Sequence, residues 1–120
     1  MGFKELLNKG KIICLATASN KGKPNAIFAE SLGIHEGKIL IADVAFDKTL
    51  KNLKENNQAA ITVQNKKEYY QIKGTIEYFK TGKWLELVKK INSGTPYKPK
   101  AAVLISIKQV YDLDKQKKII

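Results

Sequence analysis

The chain has 120 residues, 43% of them hydrophobic, which is enough for one core and too little for two. Its 22 cationic residues against 11 acidic ones give a net charge of +11, which points toward anionic partners such as nucleic acid, an acidic protein, an anionic lipid surface or a phosphorylated ligand. Every one of those cations is Lys, and without the planar fork of Arg the chain is poorly equipped for base-specific recognition or bidentate phosphate clamping.

Other classes fall away on single residues. Cys14 is the one cysteine and His35 the one histidine, so neither an intrachain disulfide nor a cysteine- or His-pair metal site can form within one chain. Cys14 lies in the apolar run Ile12 to Ala16 and reads as a small buried hydrophobe, and His35 reads as a turn residue. No apolar run approaches the roughly 18 residues that span a bilayer. Charged residues stand near the N-terminus where a signal peptide needs an apolar segment, and Leu6 stands where a myristoylation signal needs Ser or Thr. The expectation is a soluble cytoplasmic protein.

In chain order, Phe3, Leu6 and Leu7 share one helical face, which predicts a short amphipathic helix over Gly2 to Asn8 ended by Gly10. Lys11 to Ala18 reads as a strand, Ser19 to Gly22 as a turn, and Asn25 to Leu32, opened by Pro24, as the next strand. Ile34 to Lys38 is a tight connection in which Gly37 takes positive φ, and Ile39 to Ala42 is predicted to return antiparallel to its predecessor as a three-stranded meander. Leu50 and Leu53 mark a short helix with Asp47 as N-cap. Gln58 to Gln64 and Glu68 to Tyr78 are strands, and Gly74 within the second signals a bulge or a close backbone approach. Thr81 is placed to cap a second helix whose apolar face is Trp84, Leu85, Leu87, Val88 and Ile91, with Trp84 as a packing anchor. After a loop with Pro96 and Pro99 comes a last core strand, Ala101 to Ile107, which Tyr111 and Leu113 extend. The tail Asp114 to Ile120 either frays or docks on a partner surface. Six strands at short spacing with two helices predict a closed, mainly antiparallel barrel, because closure removes exposed edges.

One stretch suggests chemistry. The turn between Ala42 and the first helix places Lys48 and Thr49 in an opening helical turn, where unpaired N–H groups and the helix dipole favour an anion and an ammonium and a hydroxyl complete a phosphate site. A cation there also opposes the dipole, and in so Lys-rich a chain it can fall there by chance, so the residues alone leave both readings open.

With these elements placed, the chain resembles the FMN-binding split-barrel superfamily that includes pyridoxamine 5′-phosphate oxidase, above all its small stand-alone FMN-binding proteins. The landmarks are Ala16-Thr17-Ala18, Gly22-Lys23-Pro24, the strand Asn25 to Leu32, Gly37 to Ile41, Lys48 to Leu53 and Asn56-Asn57. The resemblance implies one mainly β domain over residues 1–120, a six-stranded antiparallel split β-barrel with two or three short helices. It implies an FMN phosphate at Lys48 and Thr49, with the backbone of Ile27, Phe28, Ala29, Ala42, Asp43 and Val44 beside the flavin at the interface of a homodimer. The implied activity is electron or hydride transfer, as a flavin reductase-like oxidoreductase or a carrier, with no general acid, base or nucleophile singled out. Many relatives place the hydroxyl residue before the basic one and use Arg nearby, whereas this chain has Lys48 before Thr49 and no Arg. Val110 to Ile120 lacks the Arg and His that pyridoxamine 5′-phosphate oxidases carry for substrate, so that activity is not expected. The rival reading is a non-enzymatic binder of nucleic acid or another polyanion, using surface Lys with Tyr69, Tyr70, Tyr78 and Phe79. It suffers because Tyr69 and Tyr70 point to opposite faces of a strand and because the lysines are scattered.

Overall fold

In the computed structural model, which describes residues 2–120, all strand pairings are antiparallel. Six long strands carry the fold: β1 (Ile12–Ala18), β2 (Pro24–Glu30), β4 (Lys38–Asp43), β5 (Gln58–Gln64), β6 (Tyr69–Phe79) and β7 (Ala101–Asp112). Two further strands of two residues each, β3 (Ile34–His35) and β8 (Lys117–Lys118), raise the expected six to eight. The helices are α1 (Lys48–Glu55) and α2 (Lys83–Ile91), and Phe3–Leu7 is a 3₁₀ turn whose Phe3, Leu6 and Leu7 are buried. No helix among the described residues is long and apolar enough to cross a membrane.

Strand order is β2-β1-β5-β6-β7-β4-β3, so the first and last strands across the sheet are neighbours in the chain, joined by Ser31, Leu32 and Gly33. The sheet therefore has to curl until its ends meet. Ser31 still bonds to the β1 side, its N–H donating to the Lys11 carbonyl at 2.8 Å. The next N–H, of Leu32, donates at 2.8 Å to the carbonyl of Leu40 in β4. This corner corrects the expected meander: β4 pairs with β3 and with β7 rather than with β2. The β3–β4 hairpin turns through Glu36 and Gly37, with φ of 51° and 78°, the pair of positive values that a two-residue primed turn requires.

Burial follows the alternation of each strand. Ile13, Leu15, Ile39, Ile41, Ile61, Ile72, Val103 and Ile105 fill one cluster, closed over by the 3₁₀ turn, with Phe3 set edge-on against Tyr70. Leu40, Ala102 and Leu104 on the opposite faces of β4 and β7 lie under Leu85 and Val88 of α2. That second layer explains why Ile39 to Ala42 reads as a continuous apolar run: both faces of the strand are covered.

Several sequence expectations change. Neither helix is capped by a side chain: Asp47 occupies the N-cap position of α1 without a cap bond, and the N-cap of α2 is Gly82, with Thr81 outside it. Cys14 is half-buried, because β1 alternates and its partner face is open. His35 is a strand residue, its Nε2 2.9 Å from the Leu32 carbonyl oxygen and its ring edge-on to Trp84. The last strand does extend through Tyr111, to Asp112, because β6 offers it a partner, and the tail, expected to fray or dock on a partner surface, folds back on it as β8.

Gly74 is both the bulge and the close approach that the sequence suggests. The β6–β7 register shifts between Lys73 and Gly74, and a Cβ at position 74 would stand 2.0 Å from the Ser106 carbonyl oxygen. Backbone cannot yield as a side-chain tip can, so Gly74→Ala is predicted to lose about 3 kcal/mol or more of stability in denaturant unfolding. A loss under about 1 kcal/mol would show that this crossing is looser than the geometry implies.

Candidate functional site

A barrel joined at one corner is open elsewhere. β2 is hydrogen-bonded along one edge to β1, and among the described residues no strand pairs with its other edge. β4 is bonded along one edge to β7, where the Asp43 carbonyl accepts the Lys100 N–H, and on its other edge the pairing reaches only to Leu40, so that beyond it the backbone groups of Ala42 face a free edge. The two strands come within 8 Å of each other between Cα atoms. The result is a split flanked by backbone N–H and C=O groups. Ile27 and Ala29 turn inward against the core, whereas Phe28 is 81% exposed.

Helix α1 is fixed across one end of β1 and β2 by polar contacts. Thr49, Asn52 and Asn56 share a helix face, since residues three, four and seven apart lie above one another. Asn25 Nδ2 donates to Thr49 Oγ1 at 3.0 Å, Asn52 Nδ2 donates to Thr17 Oγ1 at 3.1 Å, and Asn56 Nδ2 donates to the Ala18 carbonyl at 3.4 Å. Glu55 Oε1 accepts the Asn20 N–H at 3.0 Å and ties down the β1–β2 turn. Thr17, Thr49 and Asn52 are buried. This ladder is absent from the sequence reading, which followed Leu50 and Leu53; the signal that reveals it is the i, i+3, i+7 spacing of Thr49, Asn52 and Asn56.

The opening of α1 has no side-chain cap, which leaves first-turn N–H groups available to an anion. Lys48 is exposed beside it. Asp47 turns instead toward Lys51, 3.8 Å away in an exposed pair that contributes little. Thr49 is 1% exposed, and its hydroxyl accepts from Asn25, which ties α1 to β2 and leaves the O–H still able to donate.

Between β4 and α1 the chain turns through Val44 and Ala45, and Asp43 builds that turn. Its carboxylate, 0% exposed, accepts the Phe46 N–H at Oδ1 (2.8 Å) and the Tyr78 hydroxyl at Oδ2. Burial, reinforced by the Asp43 carboxylate, pushes the Tyr78 phenol above its ordinary range, so it remains a donor. Structure thus brings Lys48, Thr49, Ala42, Asp43 and Val44 to one end of the split, with Ile27, Phe28 and Ala29 along its β2 edge. Sequence reasoning assigned only the backbone of Asp43 and gave no role to Asn25, Asn52 or Lys100, and to Tyr78 only the polyanion reading.

A mainly β barrel split between its second and fourth strands, with a helix opening at the end of the split, is the architecture of the FMN-binding split-barrel superfamily. The chain belongs to the pyridoxamine 5′-phosphate oxidase family, which it matches over residues 2–114. It is 39% identical over 111 residues to an uncharacterised protein of Methanocaldococcus jannaschii, covering 88% of this chain and 74% of that one. Among solved structures it superposes on HupZ of Group A Streptococcus with a TM-score of 0.86 and 22% identity, over 98% of this chain and 95% of that chain. An FMN-binding protein from Syntrophomonas wolfei gives 0.73 at 22% identity, over 92% and 82%. HutZ, the heme storage protein from Vibrio cholerae, gives 0.71 at 13% identity, over 92% and 91%. At these identities the solved structures establish a shared fold.

The buried polar ladder carries a prediction of its own. Asn52→Ala leaves the buried Thr17 hydroxyl without its donor and is expected to cost about 1–3 kcal/mol in urea unfolding. A loss below about 0.3 kcal/mol would mean that the ladder does not hold α1.

Proposed function

We propose that this protein is a homodimeric FMN-binding flavoprotein that transfers electrons or hydride, either as a flavin reductase-like oxidoreductase or as a carrier. The single observation behind the reading is the split: two free strand edges facing one another, ending at an uncapped helix N-terminus beside Lys48. The residues suit the group. An isoalloxazine edge presents N5, O4, N3 and O2, and backbone groups on rigid strands fix its orientation without side-chain motion. Ile27, Phe28, Ala29, Ala42, Asp43 and Val44 supply that backbone, while Lys48 and Thr49, at the opening of α1, meet the phosphate. Flavin, when bound, supplies the redox chemistry; the chain supplies position and electrostatics.

Family membership and the S. wolfei FMN-binding relative support flavin. For heme the usual His ligand would have to be His35, which lies on the β3–β4 hairpin with Nε2 engaged by Leu32, at the far end of β4 from Asp43.

A second copy of the chain is the partner the open sheet face fits. Phe28, Cys14, Thr62, Gln71 and Tyr111 form one cross-strand row over β2, β1, β5, β6 and β7. Neither helix covers it, since α1 sits at the Thr17 and Asn25 end and α2 lies over Leu40 and Leu104. Phe28 and Ile12, 81% and 62% exposed, give this face an apolar end next to the split, so a partner docked there also shields a flavin.

The purified protein is expected to take up FMN and show the visible flavin band. Lys48→Glu should weaken FMN binding by at least about tenfold in a fluorescence titration, and an unchanged affinity would remove Lys48 from the site. Phe28→Lys should convert the dimer to monomer in sedimentation velocity; a wild-type chain that sediments as a monomer would refute the dimer.

A further inference from the structure

Asp43 poses a problem for the flavin reading. A carboxylate with no exposed surface stands at the turn leading into α1, where it would repel an incoming phosphate dianion. Its hydrogen bonds to the Phe46 N–H and the Tyr78 hydroxyl satisfy its oxygens without removing its charge. The cation that faces it is Lys100, whose Nζ lies 3.9 Å from Asp43 Oδ1 and 3.4 Å from the Phe46 carbonyl oxygen. The Lys100 N–H also donates to the Asp43 carbonyl at 2.9 Å. One residue therefore grips both ends of the turn 43–46, by its backbone at one end and its ammonium at the other. Its side chain is about half exposed, so the ammonium remains in contact with solvent while it compensates a buried charge.

We infer that Lys100 is a positioning residue of the phosphate site: it neutralises Asp43 and holds the turn from which Lys48 and the opening of α1 are presented. The inference rests on the FMN reading and adds to it the means by which a chain without Arg keeps an anion site next to a buried carboxylate. In this role the Lys100 ammonium acts on the phosphate half of the ligand, while the Lys100 N–H bond to the Asp43 carbonyl, which a side-chain substitution keeps, holds the ring side of the turn.

Binding of FMN and of riboflavin, which shares the ring and lacks the phosphate, separates those halves. Fluorescence titrations are compared for wild type, Lys100→Met, Lys100→Arg and the double variant Asp43→Asn/Lys100→Met. Lys100→Met is expected to lose about tenfold in FMN affinity and less than about threefold in riboflavin affinity. Lys100→Arg should restore most of the loss, and the double variant should bind FMN more tightly than Lys100→Met alone, because the charge that needed compensation is gone. Equal losses for both flavins, or a double variant no better than Lys100→Met, would overturn the inference while leaving FMN binding intact. Should Lys100→Met alone fail to fold, the double variant must still fold, and an unfolded double variant overturns the inference as well. A wild-type chain that binds neither flavin overturns the functional reading and this inference with it.

Discussion

Two adjacent residues decide the shape of this molecule. The N–H of Ser31 points to β1 and the N–H of Leu32 points to β4, so one peptide step moves the chain from one end of the sheet to the other. The corner is held on both sides of that step. Ser31 Oγ donates to the Leu7 carbonyl and accepts the Gly33 N–H, which locks the corner to the 3₁₀ turn beneath it, and Ser31 is wholly buried. Such a corner closes the barrel at one end of β2, and beyond it no ladder joins β2 to β4 among the described residues. The split is the stretch that this corner leaves unpaired. Backbone donors and acceptors left open along two strands have to meet water or a ligand, and a planar ligand with heteroatoms along its edge satisfies them in a way an apolar one cannot.

What frames the split is polar where the rest of the molecule is apolar. Barrel and α2 are held by Ile, Leu and Val, whereas α1, which packs Leu53 against the core, is also held by Thr, Asn and Glu through bonds to Asn25, Thr17, Ala18 and Asn20. Apolar burial is non-directional and tolerates sliding, but a ladder of buried hydrogen bonds fixes a helix in register. In the proposed role of presenting its N-terminus to a ligand, α1 needs register more than it needs additional burial. The Asp43, Tyr78 and Lys100 cluster extends the same logic to the turn before it.

Much of this was legible in the sequence, and the failures share a cause. Apolar runs bounded by turn residues located all six long strands, and Gly37 and Gly74 were readable because positive φ and close approach leave few other residue choices. The pairing of β4 was not legible, because the corner at Ser31 to Gly33 has the composition of an ordinary loop and its meaning lies in which neighbour each amide finds. Asp47 and Thr81 had the composition of caps without the geometry. At the site, the resemblance pointed to the turn, to Lys48 and to Thr49, and Thr49 is also part of the buried ladder. Lys100 carries no local signal, since it reaches the turn only through the pairing of Ala101 with Asp43.

The reading as a whole stands on where a flavin lies. A crystal structure of the protein grown with FMN tests this most directly. The phosphate should rest at the opening of α1 beside Lys48, with the ring along the free edges of β2 and β4 and a second copy of the chain against Phe28. An FMN bound anywhere else on the barrel, or a split that stays filled with water at saturating FMN, would contradict it.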